Sequence, residues 1–202
     1  MKFINKYLAE SAVITGKIKR RPLAAMIAHL ARARRRRTRV YVLGIGGSAA
    51  TASHFVNDLR KLAGLDACAP TDNVSELTAR INDDGWENCL EGWLRAGRLR
   101  KNDVVFVFSV GGGDLEKNIS ANLVRALQFA RKKGAVILGI VGRAGGYTAK
   151  IADACVLVPV VNPGRVTPHT ESFHALLAHL IVSHPKLRSA APKWEAETSG
   201  KT

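Results

Sequence analysis

Tyr41-Val42-Leu43-Gly44-Ile45-Gly46-Gly47-Ser48-Ala49-Ala50, followed at once by His54-Phe55-Val56-Asn57-Asp58, joins an apolar run to a glycine-dense turn and then to a helical segment. Glycines let a backbone approach a ligand closely, and the start of the following helix offers unpaired N–H groups to an anion. His54 and Asp58 stand four residues apart, so their side chains leave one face of that helix. A polar cradle and a pair of acid–base or metal-binding groups therefore fall within one short segment, the arrangement of a chemical site.

Outward from this stretch the chain alternates. Val40–Leu43, Ala67–Pro70, Val104–Ser109, Ala135–Ile140 and Ala154–Pro159 read as short buried strands. Ala50–Leu62, Asn118–Lys133 and Tyr147–Asp153 carry helical apolar spacing between them. The order predicts an α/β fold: a five-stranded parallel sheet, doubly wound and covered on both faces, with ligands near the carboxyl ends of its strands. Helical segments precede the first strand (residues 3–37, interrupted near Gly16 and Pro22) and follow the last (Thr170–Ser183). One domain is expected over residues 1–188, with a polar, disordered tail from Ser189 to Thr202.

The chain has 202 residues and 47% hydrophobic residues, enough for one well-buried core. Its apolar stretches, such as Val104–Val110 and Ala175–Val182, are too short to cross a bilayer, and the N-terminus lacks a signal peptide's apolar core. Cys68, Cys89 and Cys155 form no C-x-x-C pair, and their odd number argues against a disulfide framework. A cytoplasmic location is expected, with no membrane partner. The net charge of +15 is unevenly placed: residues 1–40 carry twelve Lys/Arg against one acid, Glu10. The run Arg32, Arg34, Arg35, Arg36, Arg37 and Arg39 offers a basic arm for nucleic acid. The plainer reading, a solvated helix end whose cations favour the C-terminal dipole, is preferred, because no aromatic residues or nucleic-acid motif accompany it.

Gly44-x-Gly46-x-x-Ala49 satisfies the loose dinucleotide fingerprint, with Asp72 as the nearest acid for a ribose. A second glycine-dense turn after the central strand, Ser109-Val110-Gly111-Gly112-Gly113-Asp114, favours a compact phosphorylated ligand held between two turns. No nucleotide cofactor is expected.

Several stretches together resemble the sugar isomerase (SIS) domain family, especially phosphoheptose isomerases. Gly44–Leu59 is similar to its G-N-G-G-S-A-…-H-F-x-x-E-L signature. Thr71-Asp72-Asn73 through Asn82-Asp83-Asp84-Gly85-Trp86-Glu87 resembles T-D…N-D-x-G-[YW]-E, and Ser109–Asn122 occupies the place of its phosphate loop, S-T-S-G-N-S. Glu171-x-x-His174-x-x-x-x-His179 resembles Q-E-x-H-x-x-x-x-H. The likeness implies a flavodoxin-like αβα sandwich, a homotetramer with sites near subunit boundaries, and conversion of sedoheptulose 7-phosphate to a heptose 7-phosphate. It implies Asp58 as base and His179 as acid, and a Zn²⁺ ion held by His54, Asp58, Glu171 and His179. Gly46, Gly47, Ser48, Asp83, Ser109, Gly111 and Ser120 fall on its substrate-binding positions.

The residue types suit the chemistry. A carboxylate can move a proton between adjacent carbons through an enediol while a histidine moves protons between the oxygens. Each residue also has a plain alternative: His54 as an interfacial histidine, Asp58 beside Arg60 as surface charge, Glu171 as a first-turn acid of a helix capped by Thr170. The sequence departs from the family at Ile45 for asparagine, Asp58 for glutamate, Glu171 for glutamine and Ser172 for glutamate. In the second turn Val110, Gly111 and Gly113 replace hydroxyl and amide side chains, and about five extra residues bring in Asp114 and Glu116. Ser109, Ser120 and backbone N–H groups remain to bind phosphate, against the added acids. The alternative to an isomerase is a non-catalytic SIS module binding a sugar phosphate, nucleic acid or a partner protein.

Overall fold

A computed structural model describes residues 1–190 and 192–194; the expected disordered tail lies outside the described residues at 191 and 195–202. Ser189 and Ala190 themselves donate their N–H groups to the Leu62 carbonyl. The chain runs α1 (Lys2–Lys17), α2 (Arg20–Arg36), β1 (Val40–Leu43), α3 (Gly47–Lys61), β2 (Ala67–Cys68), α4 (Val74–Asp84), α5 (Cys89–Ala96), β3 (Val104–Ser109), α6 (Ala121–Lys132), β4 (Val136–Val141), α7 (Gly146–Ile151), β5 (Ala154–Leu157) and α8 (Val166–Ser183). The five strands form one parallel sheet in the order β2-β1-β3-β4-β5, the doubly wound topology expected.

The sheet is buried on both faces because its central strands carry no polar face. Val40, Val42, Val104, Phe106, Phe108, Leu138 and Ile140 point into a core shared with α2, α3 and α8. The alternate residues Tyr41, Leu43, Val105, Val107 and Ile137 pack against α5 and α6. Phe55 of α3 lies against Phe106 and Phe108, with ring centroids 4.9 and 5.5 Å away. Each fully buried ring stabilises the fold by roughly 1.5–3 kcal/mol.

In α2, Leu23, Met26, Ile27, Leu30 and Ala31 repeat at helical spacing and are buried. The break between α1 and α2 falls at the extended residues Ile18 and Lys19, and Pro22 sits in α2's first turn, where its missing N–H costs no helical bond. The arginine run ends α2, as the helix-end reading expects, and Arg37 closes it in the left-handed region. Arg34 is a staple: its guanidinium donates to the carbonyls of Ala63, Leu187 and Lys186. Cys68, Cys89 and Cys155 are free thiols.

Two expectations need correcting. Ala67–Pro70 is a strand only over Ala67–Cys68, because Pro70 opens a short 3₁₀ turn, Pro70–Asp72. α8 begins at Val166 rather than Thr170, with Pro168 tolerated in its first turn. Thr170 is therefore no cap; its hydroxyl donates to the Val166 carbonyl inside the helix, and Glu171 lies beyond the first turn.

Candidate active site

The first glycine turn exists so that α3 can start under α8. A Cβ on Gly44 would lie 2.3 Å from the Ser48 carbonyl oxygen, and Gly46 adopts φ 61°, open mainly to glycine. A Cβ on Gly47 would meet the Glu171 carboxylate at 2.5 Å. That acid of α8 is thus seated over the first turn of α3, where the helix dipole favours it.

Along α3, His54 and Asp58 face His179 of α8. The Asp58 Oδ2 atom lies 3.4 Å from His54 Nε2 and 3.4 Å from His179 Nδ1. The two rings meet edge to face with centroids 5.0 Å apart. Asn57 Nδ2 donates to the other oxygen, Oδ1, at 3.1 Å. The Asp58 side chain is 9% exposed, which removes its reading as surface charge, while both imidazoles are more than half exposed. A buried carboxylate without an arginine or lysine partner needs another positive charge. Here His54 and His179 are the groups positioned beside it.

The trio also fits a metal. One ligand atom from each of His54, Asp58 and His179 lies within 4.8 Å of the others. Tetrahedral ligands at ~2.1 Å stand ~3.4 Å apart, and two nitrogens with one carboxylate oxygen make an open catalytic set. Glu171 is outside that trio.

The second glycine turn serves another purpose than its sequence suggests. A Cβ on Gly112 would lie 1.9 Å from the Gly145 carbonyl oxygen, and one on Gly146 would lie 2.4 Å from that of Gly111. Tyr147 and Thr148 donate their N–H groups to Gly113 and Gly112. The turns after β3 and β4 therefore interlock backbone to backbone. The extra residues form a small hairpin, bridged at Asp114 and Ile119, in which Asp114 Oδ1 accepts the Lys117 N–H.

Between these turns and the starts of α3, α6 and α8 lies a cleft of about 470 Å³, lined in part by Ser48, Ser109, Gly111, Ser120, Thr167 and Arg143. Ser48 is in the first turn of α3, Ser120 is the N-cap of α6 and Thr167 is in the first turn of α8. Three helix starts at the carboxyl edge of the sheet bias the cleft toward an anion. From Ser48 to His54, α3 rises ~9 Å, so a chain anchored in the cleft can run along the helix to the trio.

Of the residues read from the sequence, Ser48, Ser109, Gly111 and Ser120 line the cleft, and Gly46 and Gly47 stand in the turn between its lining residues Ile45 and Ser48 without lining it themselves. His54, Asp58 and His179 converge beyond it. Asp83 lies exposed on α4, accepting a hydrogen bond from Asn82, and does not line the cleft. Asp72 accepts the Ala69 N–H, which occupies the acid that a dinucleotide reading needed. Sequence reasoning missed Lys117, Arg143 and Thr167. Their signal was positional: Arg143 follows β4, whose parallel register pairs Val141 with Ser109, so the two strand ends feed one cleft. His174 is fully buried against Phe108, 3.5 Å from the Ser48 hydroxyl through Nδ1, and burial pushes its imidazole down to about 4.

The chain is similar to a phosphoheptose isomerase of Rhodospirillum rubrum, 34% identical over 148 residues, or 71% of this chain and 73% of the relative. One from Geotalea daltonii is 35% identical over 164 residues, covering 79% and 80%. The solved structure of phosphoheptose isomerase from Neisseria gonorrhoeae superposes with a TM-score of 0.76 at 29% identity, over 90% of this chain and 95% of that one. Residues 6–142 match the SIS domain. With the sheet order, the glycine turn and these matches in agreement, the chain belongs to the SIS domain family.

Proposed function

We propose that this protein is a cytoplasmic aldose–ketose isomerase of a phosphorylated sugar, converting sedoheptulose 7-phosphate to D-glycero-heptose 7-phosphate. The observation that carries the reading is the convergence of Asp58 with His54 and His179, one carboxylate oxygen 3.4 Å from each ring, at the end of an anion-favouring cleft.

The phosphate binds among the helix starts and orients the sugar along α3. Asp58 takes the proton from the carbon next to the carbonyl and returns it to its neighbour through the enediol. Asn57 holds the other carboxylate oxygen, which fixes the direction in which Oδ2 presents itself. His179 moves protons between the two sugar oxygens. His54, Asp58 and His179 would hold Zn²⁺, while Glu171, expected as a fourth donor, sits against Gly47 at the start of α3 and apart from them. When bound, the ion supplies a Lewis acid for the sugar carbonyl.

The reading includes a homo-oligomer, a tetramer, whose neighbouring copies cover the open imidazoles. Supporting it, Leu176 and Leu180 flank His179 on α8 and are exposed, as are Phe3, Ile4 and Leu8 of α1. Among the described residues no helix is long and apolar enough to cross a membrane. Arg34's structural role leaves the nucleic-acid alternative less well supported.

The test is NMR-monitored conversion by the purified, zinc-replete protein, with metal content and mass in solution measured alongside. Aldose phosphate should form, and zinc content should fall when His54 is replaced by alanine. Absence of isomerisation across a panel of ketose phosphates would falsify the enzyme reading and leave the non-catalytic binding module.

A further inference from the structure

The turn after β3 lacks the side chains that the family resemblance expects to grip a phosphate, since Val110, Gly111 and Gly113 offer none. The cleft nevertheless gathers positive charge from two other places. Lys117 reaches it from the inserted hairpin, and Arg143 from the turn after β4. Against them stands one lining acid, Asp114, whose Oδ1 already accepts the Lys117 N–H and whose Oδ2 lies 3.9 Å from Lys117 Nζ. The hairpin therefore carries its own counter-charge, and its acid does not neutralise Arg143. Among the described residues Arg143 has no ion pair and no side-chain hydrogen bond.

Arg143 is also held in an uncommon backbone conformation. It has φ 48° in a tight turn closed by the Gly145 N–H on the Gly142 carbonyl. Glycine or asparagine suits such a position better than arginine. Ser120, which also lines the cleft, is left-handed too, with φ 50°. Backbone strain of this kind gathers at ligand sites, where the side chain it presents has a task. By register, Arg143 follows β4 as Gly111 follows β3, which sets it beside the turn that lost its donors.

We infer that Arg143, assisted by Lys117, holds the phosphate dianion of the substrate, replacing by charge the hydroxyl and amide donors missing from the turn after β3. This rests on the sugar-phosphate isomerase reading for its ligand, and it assigns that substrate's specificity for phosphorylation to the β4–α7 turn and the inserted hairpin. The Ser109 hydroxyl oxygen accepts the Gly112 N–H, so its own proton is free to join them. Guanidinium suits a phosphate because it presents paired donors in one plane.

The experiment is calorimetric titration of the full chain with inorganic phosphate, repeated for Arg143→Gln, Arg143→Gly and Lys117→Gln, with thermal melts as the folding control. Arg143→Gln should weaken phosphate binding about 10- to 100-fold, the loss of a charge-assisted contact. Lys117→Gln should weaken it less. Arg143→Gly should lose phosphate affinity while its melting temperature holds or rises, because glycine relieves the left-handed backbone. In steady-state assays, KM for the sugar phosphate should rise in step with the phosphate dissociation constant. Wild-type phosphate affinity in Arg143→Gln, or no measurable phosphate binding by the unmodified chain, would overturn the assignment. Arg143-dependent binding without isomerisation would uphold the clamp and sink the isomerase reading. Isomerisation with phosphate affinity indifferent to Arg143 would do the reverse.

Discussion

α8 joins two carboxylate–imidazole clusters of opposite character. At its start, His169 Nε2 lies 2.9 Å from the Glu10 carboxylate, which also accepts from Arg165 and Asn162. His169 is buried and stacked on Tyr7 at 4.4 Å. Near its end, His179 shares Asp58 with His54, has no arginine in the set, and is 56% exposed on its side chain. In the first cluster several donors converge on one acid and fasten α1 to α8, while the buried His169 Nδ1 has no partner among the described residues. The second keeps unused donor and acceptor capacity facing solvent. The same pair of residue types is structural where the acid is fully engaged and closed off from solvent, and open to chemistry where the imidazoles face it.

Exchanging the two histidines for alanine is the strongest way to break this contrast. His179→Ala should lower kcat/KM about 10²- to 10⁴-fold, the usual worth of a positioned acid–base group, with little change in melting temperature. His169→Ala should do the opposite, lowering Tm by roughly 4–8 °C and leaving kcat/KM within a few-fold. Parallel losses in both variants would erase the distinction.

His174, midway between them on α8, sharpens it through pH. Burial holds its folded pKa near 4, below the ordinary 6.5. An unfolded chain takes up this proton as pH falls below ~6.5 while the folded chain refuses it until about 4. Stability is therefore lost across that window, by roughly 3 kcal/mol in all. Urea unfolding midpoints at pH 5 and pH 7 should differ less in His174→Leu than in the unmodified protein.

The smallest effect belongs to Glu10. The hydrogen bond from His169, then those from Asn162 and Arg165, hold its carboxyl down to about 2 from 4.5. Its stabilisation is present above pH 4.5 and fades as pH falls toward 2. Glu10→Gln should flatten the acid limb of the melting curve there, with no change in turnover at neutral pH.

The sheet was legible in the sequence because burial on both faces leaves an unbroken apolar run, as in Val104–Ser109, which needs no partner to be recognised. His54 and Asp58 were legible for a similar reason: helical spacing alone puts them on one face. Where a proline altered the local rule, boundaries moved, as at Pro70 and at Pro168. Gly112 and Gly113 read as part of a ligand turn, yet they pack against the turn at Gly145 and Gly146, because a turn that admits a ligand and a turn that admits another backbone use the same residue. Arg143 and Lys117 were hidden for a topological reason. Neither has a motif, and only the pairing of β3 with β4 and the fold of the inserted hairpin bring them to one cleft.

Proton transfer by Asp58 is most directly read from solvent exchange. In D₂O, the unmodified protein should incorporate deuterium at the sugar carbon next to the carbonyl, seen by NMR, and folded Asp58→Asn should incorporate none. Exchange at the unmodified rate in Asp58→Asn would show that this carboxylate is not the base.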